Sequence, residues 1–378
     1  MQERTNVGQR VSGPWRIFVI NPGSTSTKVS LFEGGTCVFD TDVFHDSPTL
    51  RALGTINDQL DYRMEVLDDF LATNGIDLTG VDAVVGRGGG CYPVESGIYT
   101  IDDRLVADTR DCKGGLYHAS MLGVQMAQRV HARYGGIALM VNPPIVDELC
   151  EDARITVVRG VYRKAVSHAL NLKAVARRHC EEQGISYQEH NFIVSHIDGG
   201  ISVTAHRRGR MVDGNDAGGG EGPFTPTRMG SMAVTDVLHY LYGKKPEEIQ
   251  ALCSQAGGLS SWFGTSNSDQ VHALVEADDP VATRVWSAMI YQTCKWIASM
   301  GAVLEGQVDA ILLTGGLLRF DDVVQGVRDR CGWIAPVYVY PGEFEQQAMA
   351  QSACDVLSGD VEPRVYPGAP VWSGFAEG

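Results

Sequence analysis

Three hydrophobic–polar patterns occur in the first half of this chain and return in the same order in the second. The first is a strand, a polar Gly/Ser turn and a second strand. It reads IFVI-NPGSTSTK-VSLFEGG from Ile17, and NFIVS-HIDGG-ISVTAHRRGRMVD from Asn191. Apolar and polar residues alternate in VSLF and ISVTAH, the period of half-buried antiparallel strands. The second pattern is VDAVVGRGGG from Val81 and VDAILLTGGLL from Val308. A short apolar run ending in glycines predicts a buried strand that delivers a tight loop. The third is ALMVNPPIVDE from Ala138 and PVYVYPGEFE from Pro336, each a strand, a proline turn and then acids. Between these patterns, Ala119 to Tyr134, Ala169 to Glu182 and Val281 to Leu304 have the helical period.

One matching pair could arise by chance, whereas three in order argue for a duplicated α/β domain. The expected division is an N-terminal α/β lobe over 15–166 and a C-terminal α/β lobe over 167–359, with 360–378 returning to the first lobe. A glycine-rich hairpin near the start of each half suits a cleft in which two loops hold one polyphosphate. The first dozen residues read as a loose tail.

Composition narrows the partners. A chain of 378 residues suits two domains, each with its own core. The net charge of −15 argues against nucleic acid and against anionic membranes. The one dense basic run, His206-Arg207-Arg208-Gly209-Arg210, reads as a charged hairpin turn. Nine cysteines are scattered with no CxxC pair, which points to free thiols in a reducing, cytoplasmic setting. No apolar run has the length of a bilayer span or the character of a signal peptide.

Candidate chemistry sits in the loops. Asn21, Ser24, Ser26 and Lys28 crowd the first turn, where hydroxyls, backbone N–H groups and a cation can cradle an anion. An ordinary Ser/Thr-rich hairpin has the same composition. In the second half, Asp198, Gly199, Gly200 and Ser202 form a turn able to face a phosphate chain, and Thr314, Gly315 and Gly316 open a strand-to-loop junction. Arg87 among glycines and Arg228 in EGPFTPTRMGS are placed to grip carboxylate or phosphate bidentately. His168 stands where a helical period starts, and His118 precedes another. Glu343 and Glu345 follow the last strand, where either one could hold Mg²⁺ or cap a helix.

Taken together, INPGSTSTK, VVGRGGG, SHALNLKAVARR, GEGPFTPTR, VDAILLTGG and IAPVYVYPGE resemble butyrate kinase, in that family's order, from about Ile17 to Gly359. Butyrate kinases stand with acetate and propionate kinases. The resemblance implies the duplicated ribonuclease H-like fold of the actin, Hsp70 and sugar-kinase superfamily, with two lobes around a nucleotide cleft. It implies reversible transfer between ATP and a short-chain carboxylate, giving ADP and an acyl phosphate, with Mg²⁺ and a homodimer. Asn21, Ser24, Ser26 and Lys28 then match the first phosphate loop. Arg87 and Arg228 match arginines that grip the carboxylate and the migrating phosphoryl group. His168 matches a histidine that stabilises that group, and His118 another active-site histidine. His196, Asp198, Gly199 and Gly200 fall on the second phosphate loop, and Thr314, Gly315 and Gly316 on an adenosine-side motif. Glu343 falls on a magnesium-side acid.

Two positions depart from the family pattern. VNPPIVDE has Asn142 where an aspartate tied to the metal and the active-site geometry is expected, and HIDGGIS has Asp198 where a glycine is expected. Asparagine offers a metal no negative charge, and an aspartate beside phosphate adds repulsion. One expectation is that Asp198 takes over metal-side charge lost at 142. Its rival is that Asp198 damages the phosphate loop. The same departures leave room for a nucleotide-binding protein with impaired transfer. A kinase of another small acceptor would need a base such as Asp147 or Glu148.

Overall fold

The computed structural model describes residues 13–375; the expected N-terminal tail lies outside them up to residue 12. The chain forms two compact units. The first comprises residues 13–147 and 344–375, the second residues 148–343.

The first unit is built on strands β1 (Arg16–Pro22), β2 (Ser26–Glu33), β3 (Thr36–Phe44), β4 (Ala83–Gly86), β5 (Ile98–Thr100) and β6 (Ile137–Val141). They lie in the order β3-β2-β1-β4-β6-β5. β1, β2 and β3 pair antiparallel, and β4 and β6 continue parallel from β1. The second unit is built on β7 (Asn191–Ile197), β8 (Ile201–Arg207), β9 (Arg210–Gly214), β10 (Ala310–Gly315) and β11 (Val337–Pro341). Read from β9, its order is β9-β8-β7-β10-β11, again an antiparallel meander continued by two parallel strands. The two sheets therefore repeat one topology, and the first adds an antiparallel edge strand, β5. This is the duplicated α/β fold that the repeated patterns predict. The expected helices form at Leu122–Tyr134, Ala169–Gln183 and Pro280–Val303.

Parallel strands covered on both faces need continuous apolar sequence, and AVVG and AILLTG supply it, with every residue buried. The division between units falls at 147/148 and 343/344, against the expected 166/167 and 359/360. The segment after Asp147 is fastened to the second unit. Cys150 N–H donates to the Val212 carbonyl at 2.9 Å, and Glu148 pairs with Lys173 at 2.8 Å. The helix Glu345–Leu357 belongs to the first unit, where Gln346 Nε2 donates to Ser30 Oγ at 2.8 Å. Among the described residues no helix is long and apolar enough to cross a membrane, and all nine cysteines are free.

The basic run does form the β8–β9 turn, with Arg208 and Gly209 at φ 49° and 84°. Its first member, however, is buried. Thr204 Oγ1 donates to the Val194 carbonyl, so His206 Nε2–H must donate to Thr204 Oγ1, which leaves Nδ1 to accept from Tyr187 Oη at 2.6 Å. Burial, followed by the nearby Lys173 cation, lowers the His206 pKa to about 3 from 6.5. Between those values the unfolded chain takes up a proton that the folded chain refuses. Stability from this residue is complete above 6.5 and is lost as pH falls, at about 1.4 kcal/mol per pH unit. Urea denaturation at pH 6.5, 5.5 and 4.5 tests this. His206→Gln should flatten the pH slope, and an unchanged slope would refute it.

Candidate active site

Each unit gathers a set of polar side chains at its strand ends. In the first unit the β1–β2 turn is short, since Gly23 N–H donates to the Ser26 carbonyl at 2.8 Å. Ser26 and Lys28 consequently lie on β2 rather than in a turn, two residues apart on one face. Ser26 Oγ donates to Asp42 at 3.0 Å, and Lys28 pairs with Asp40 at 3.4 Å. Ser24 is exposed at the tip. The crowded cradle expected from the sequence is thus split, and the β3 acids hold two of its members.

Asn21, at the end of β1, donates from Nδ2 to Glu345 Oε2 at 2.8 Å. Arg87, just past β4, pairs through Nη1 with the same oxygen. Arg87 is fixed from its backbone, whose N–H donates to the Ile20 carbonyl at 2.9 Å. Its Nε is buried without an acceptor. Asn21, Arg87 and Glu345 therefore form one cluster. Of the two acids weighed from sequence, Glu345 is the one that joins it.

Below the first turn lies Arg63, on helix Gln59–Thr73 and fully buried. It donates to the Ser24 and Ser26 carbonyls at 3.1 and 3.2 Å, to Thr27 Oγ1 at 3.3 Å, and to Gln59. Burial lowers its pKa to about 10, so the guanidinium stays charged at neutral pH. The sequence reading missed it. The only signal is an arginine in step with buried Met64, Leu67 and Leu71 on an otherwise apolar helix face.

His118 and Asn142 serve backbone. His118 Nδ1 accepts from the Ser120 N–H at 3.1 Å and caps the turn Ala119–Met121. Asn142 is buried at φ 39°, a region that asparagine tolerates better than most residues. Its Oδ1 accepts from Gly97 N–H at 2.8 Å, and its own N–H donates to the Gly97 carbonyl at 3.1 Å.

In the second unit the expected residues converge. The β7–β8 turn carries Asp198, Gly199 and Gly200. Thr225 and Thr227 donate their hydroxyls to the Gly199 carbonyl at 2.7 and 2.8 Å, stitching the PFTPTR loop onto this turn. That contact lays the Arg228 guanidinium against Gly200, where a Cβ would lie 2.5 Å from Nη1. Arg228 Nη1 donates to the Ala217 carbonyl at 2.9 Å, while Nε is buried without an acceptor. Burial lowers the Arg228 pKa, and Asp216 opposes it.

His168 and His196 stack with ring centroids 4.0 Å apart and planes at 23°. Ser202 Oγ accepts from the His168 backbone N–H and lies 2.8 Å from Nδ1, a hydrogen bond in which either the hydroxyl or the ring N–H is the donor. Thr314 Oγ1 donates to the Gly342 carbonyl, so Asn171 Nδ2 donates both to Thr314 and to His196 Nδ1 at 2.9 Å. The His196 ring thereby carries its proton on Nε2. Gly315, at φ 107°, runs so close to Ile197 that a Cβ would overlap its backbone. This tight passage brings the Gly316 N–H to Asp198 Oδ2 at 2.6 Å.

A ring nitrogen of His196 and one oxygen each of Asp198 and Glu343 lie within 4.8 Å of one another. Mg²⁺ takes one or two carboxylates and keeps water. Asp198 and Glu343 fit that demand, and His196, with Nε2 protonated, does not act as a ligand. The second unit thus unites His168, His196, Asp198, Gly199, Gly200, Arg228, Thr314, Gly315, Gly316 and Glu343. Ser202, read from sequence as part of the phosphate-facing turn, lies against His168. The supporting Asn171, Thr225 and Thr227 were not singled out from sequence, because their partners lie far along the chain.

The chain is similar to known proteins in part of its sequence and in its fold. Residues 156–327 match the sequence model of the Acetokinase family. The acetate kinase of Porphyromonas gingivalis superposes with a TM-score of 0.72 at 19% identity, over 91% of this chain and 99% of that one. A propionate kinase from Francisella tularensis subsp. tularensis gives 0.71 at 17% identity, over 89% and 98%. A putative N-acetylmannosamine kinase from Listeria monocytogenes gives 0.50 at 12% identity, over 91% and 99%, which extends the likeness to sugar kinases. The matched residues 156–327 include His168, Arg228 and the Thr314–Gly316 junction, and the fold of the chain is similar to that of the acetate and propionate kinase structures.

Proposed function

We propose that this protein is a carboxylate kinase that transfers a phosphoryl group reversibly between ATP and a short fatty acid of about butyrate size. The observation that carries the reading is Arg228, held on Gly200 by the stitched loop, in the same unit as the stacked histidines His168 and His196. This set suits a transferring phosphoryl group, whose negative charge spreads over its oxygens. A carboxylate is already a nucleophile at neutral pH, so the reaction needs charge neutralisation and alignment rather than a base. One carboxylate oxygen forms the new O–P bond as the bond to ADP breaks, and no proton is moved.

Within this reading Asn21, Arg87 and Glu345 serve the acceptor side, and the second unit serves the nucleotide. Ser24 stands at the tip of the first loop with Ser26 and Lys28 on the adjoining strand β2, and His118 and Asn142 shape backbone in the same unit. Asp198 and Glu343 would hold Mg²⁺, which neutralises phosphate charge when bound. A base-dependent alcohol kinase is disfavoured, because Glu148 is committed to Lys173 and to the Met211 N–H at 2.8 Å. The reading includes a cytoplasmic homodimer. Helix Val234–Leu241, which buries none of its residues and exposes Val234, Leu238 and Tyr240, supports the dimer.

The test is a coupled hydroxamate assay with C2 to C6 acids, ATP and Mg²⁺. Acyl phosphate should form with the highest kcat/KM near C4. Nucleotide binding without acyl phosphate from any acid would overturn the proposal in favour of a binding protein with impaired transfer. Asp198, beside the loop amides, is the observation that keeps this second reading in view.

A further inference from the structure

The β7–β8 turn carries its own anion. Asp198 Oδ1 accepts from the Gly199 N–H at 2.8 Å, and Oδ2 accepts from the Gly316 N–H at 2.6 Å. The two amides come from different loops, one from the turn itself and one from the end of β10, and they converge on a single carboxylate. Backbone N–H groups that converge in this way form a nest for an anionic oxygen, and carboxylate and phosphate oxygens satisfy it alike. The nest is fitted closely to its occupant, since a Cβ on Gly316 would lie 2.6 Å from Asp198 Oδ2. Asp198 is also the residue that replaces the glycine expected in this loop.

We propose that Asp198 is a resident occupant of the phosphate nest, and that it makes this loop select phosphate chains that carry a divalent cation. The assignment of the nest to nucleotide phosphates rests on the proposed kinase function. A metal-free polyphosphate arriving here meets a like charge and two amides already engaged. It must displace the carboxylate to gain either bond. A cation changes the balance. Glu343 stands within 4.8 Å of the Asp198 oxygen, so the two carboxylates can share one ion, and a cation between carboxylate and phosphate replaces repulsion with attraction. Selection then acts on the charge state of the ligand, where a glycine at this position would accept phosphate with or without metal.

Inorganic pyrophosphate reads the nest without requiring phosphoryl transfer. Calorimetric titration of the full chain, Asp198→Gly and Asp198→Asn should be run in EDTA and again in excess Mg²⁺. In EDTA the glycine variant should bind pyrophosphate about ten- to a hundredfold more tightly than the parent, the range of one or two charge-assisted hydrogen bonds. The asparagine variant, which keeps the side-chain shape and loses the charge, should fall between them and serves if the glycine variant does not fold. In Mg²⁺ the gain should shrink to about threefold or less, because the cation already screens the carboxylate. Equal affinities of parent and variants in EDTA, or a gain that Mg²⁺ leaves unchanged, would overturn the proposal. So would a folded glycine variant that binds no pyrophosphate. Failure of the chain to make acyl phosphate would instead count against the kinase reading and leave these binding outcomes standing.

Discussion

Arg228→Lys is expected to lower kcat/KM for acyl phosphate formation about a thousandfold while the fold is kept. The effect comes from geometry more than from charge, which the substitution preserves. A guanidinium presents a planar fork of donors in fixed directions, whereas an ammonium is a strongly hydrated point charge on a flexible stem. Here the fork is aimed by the loop that Thr225 and Thr227 tie to the Gly199 carbonyl. Its Nη1 is spent on the Ala217 carbonyl, and its buried Nε has no acceptor among the described residues. The losses seen for a guanidinium that meets a phosphoryl group only in the transition state are of order 10³ to 10⁵. The lower end suits a substitution that keeps the charge. The KM for ATP should move less than tenfold, since the Thr314–Gly316 junction, which the resemblance assigns to the adenosine side, is untouched. Steady-state kinetics with both substrates varied, beside a thermal melt, separates this from misfolding. A kcat/KM within tenfold of the parent would remove Arg228 from the transfer step.

The fold was legible because duplication writes the same hydrophobic pattern twice. Strands buried on both faces, such as AVVG and AILLTG, have little freedom in their sequence, and the glycines after them mark where backbone must pass close to backbone. Local chemistry was less legible. The run NPGSTSTK reads as one polar turn, yet β2 begins at Ser26, and the strand alternation turns Ser26 and Lys28 toward the β3 acids. No pattern within the run announces Asp40 and Asp42 as its partners. Asn142 misleads in a similar way. Its side chain reads as a weakened metal ligand, but it is spent on Gly97, forty-five residues back along the chain, at a left-handed backbone position. The second-unit site was more legible because its residues work through backbone turns, and the glycines and prolines that make those turns stand in the sequence beside the functional side chains.

The two units also treat their anion sites alike. In the first, Glu345 occupies Arg87, and in the second, Asp198 occupies the amides of Gly199 and Gly316. In each case an internal carboxylate satisfies donors that are half-buried. Under the proposed kinase function an anionic substrate would compete with a carboxylate already in place, and affinity would depend on how readily that carboxylate is released or bridged.

Arg63→Met should cost the first unit about 3–5 kcal/mol of stability, the sum of several donors lost from a site that water does not reach. The guanidinium is fully buried, and its hydrogen-bond partners are neutral: the Ser24 and Ser26 carbonyls, the Thr27 hydroxyl and Gln59. Methionine fills much of the same volume, so the loss is chiefly polar, and it falls on the acceptors of one turn. Those acceptors close the β1–β2 hairpin that places Asn21 beside Glu345. Arg63→Lys retains a charge but reaches fewer of the acceptors, and should fall between the parent and methionine. Urea denaturation gives the stability change. Hydrogen exchange should show the loss concentrated in residues 21–28, with the second unit unaffected. A methionine variant within about 1 kcal/mol of the parent would mean that the turn holds its shape without the buried arginine, since that is the range of an ordinary surface substitution.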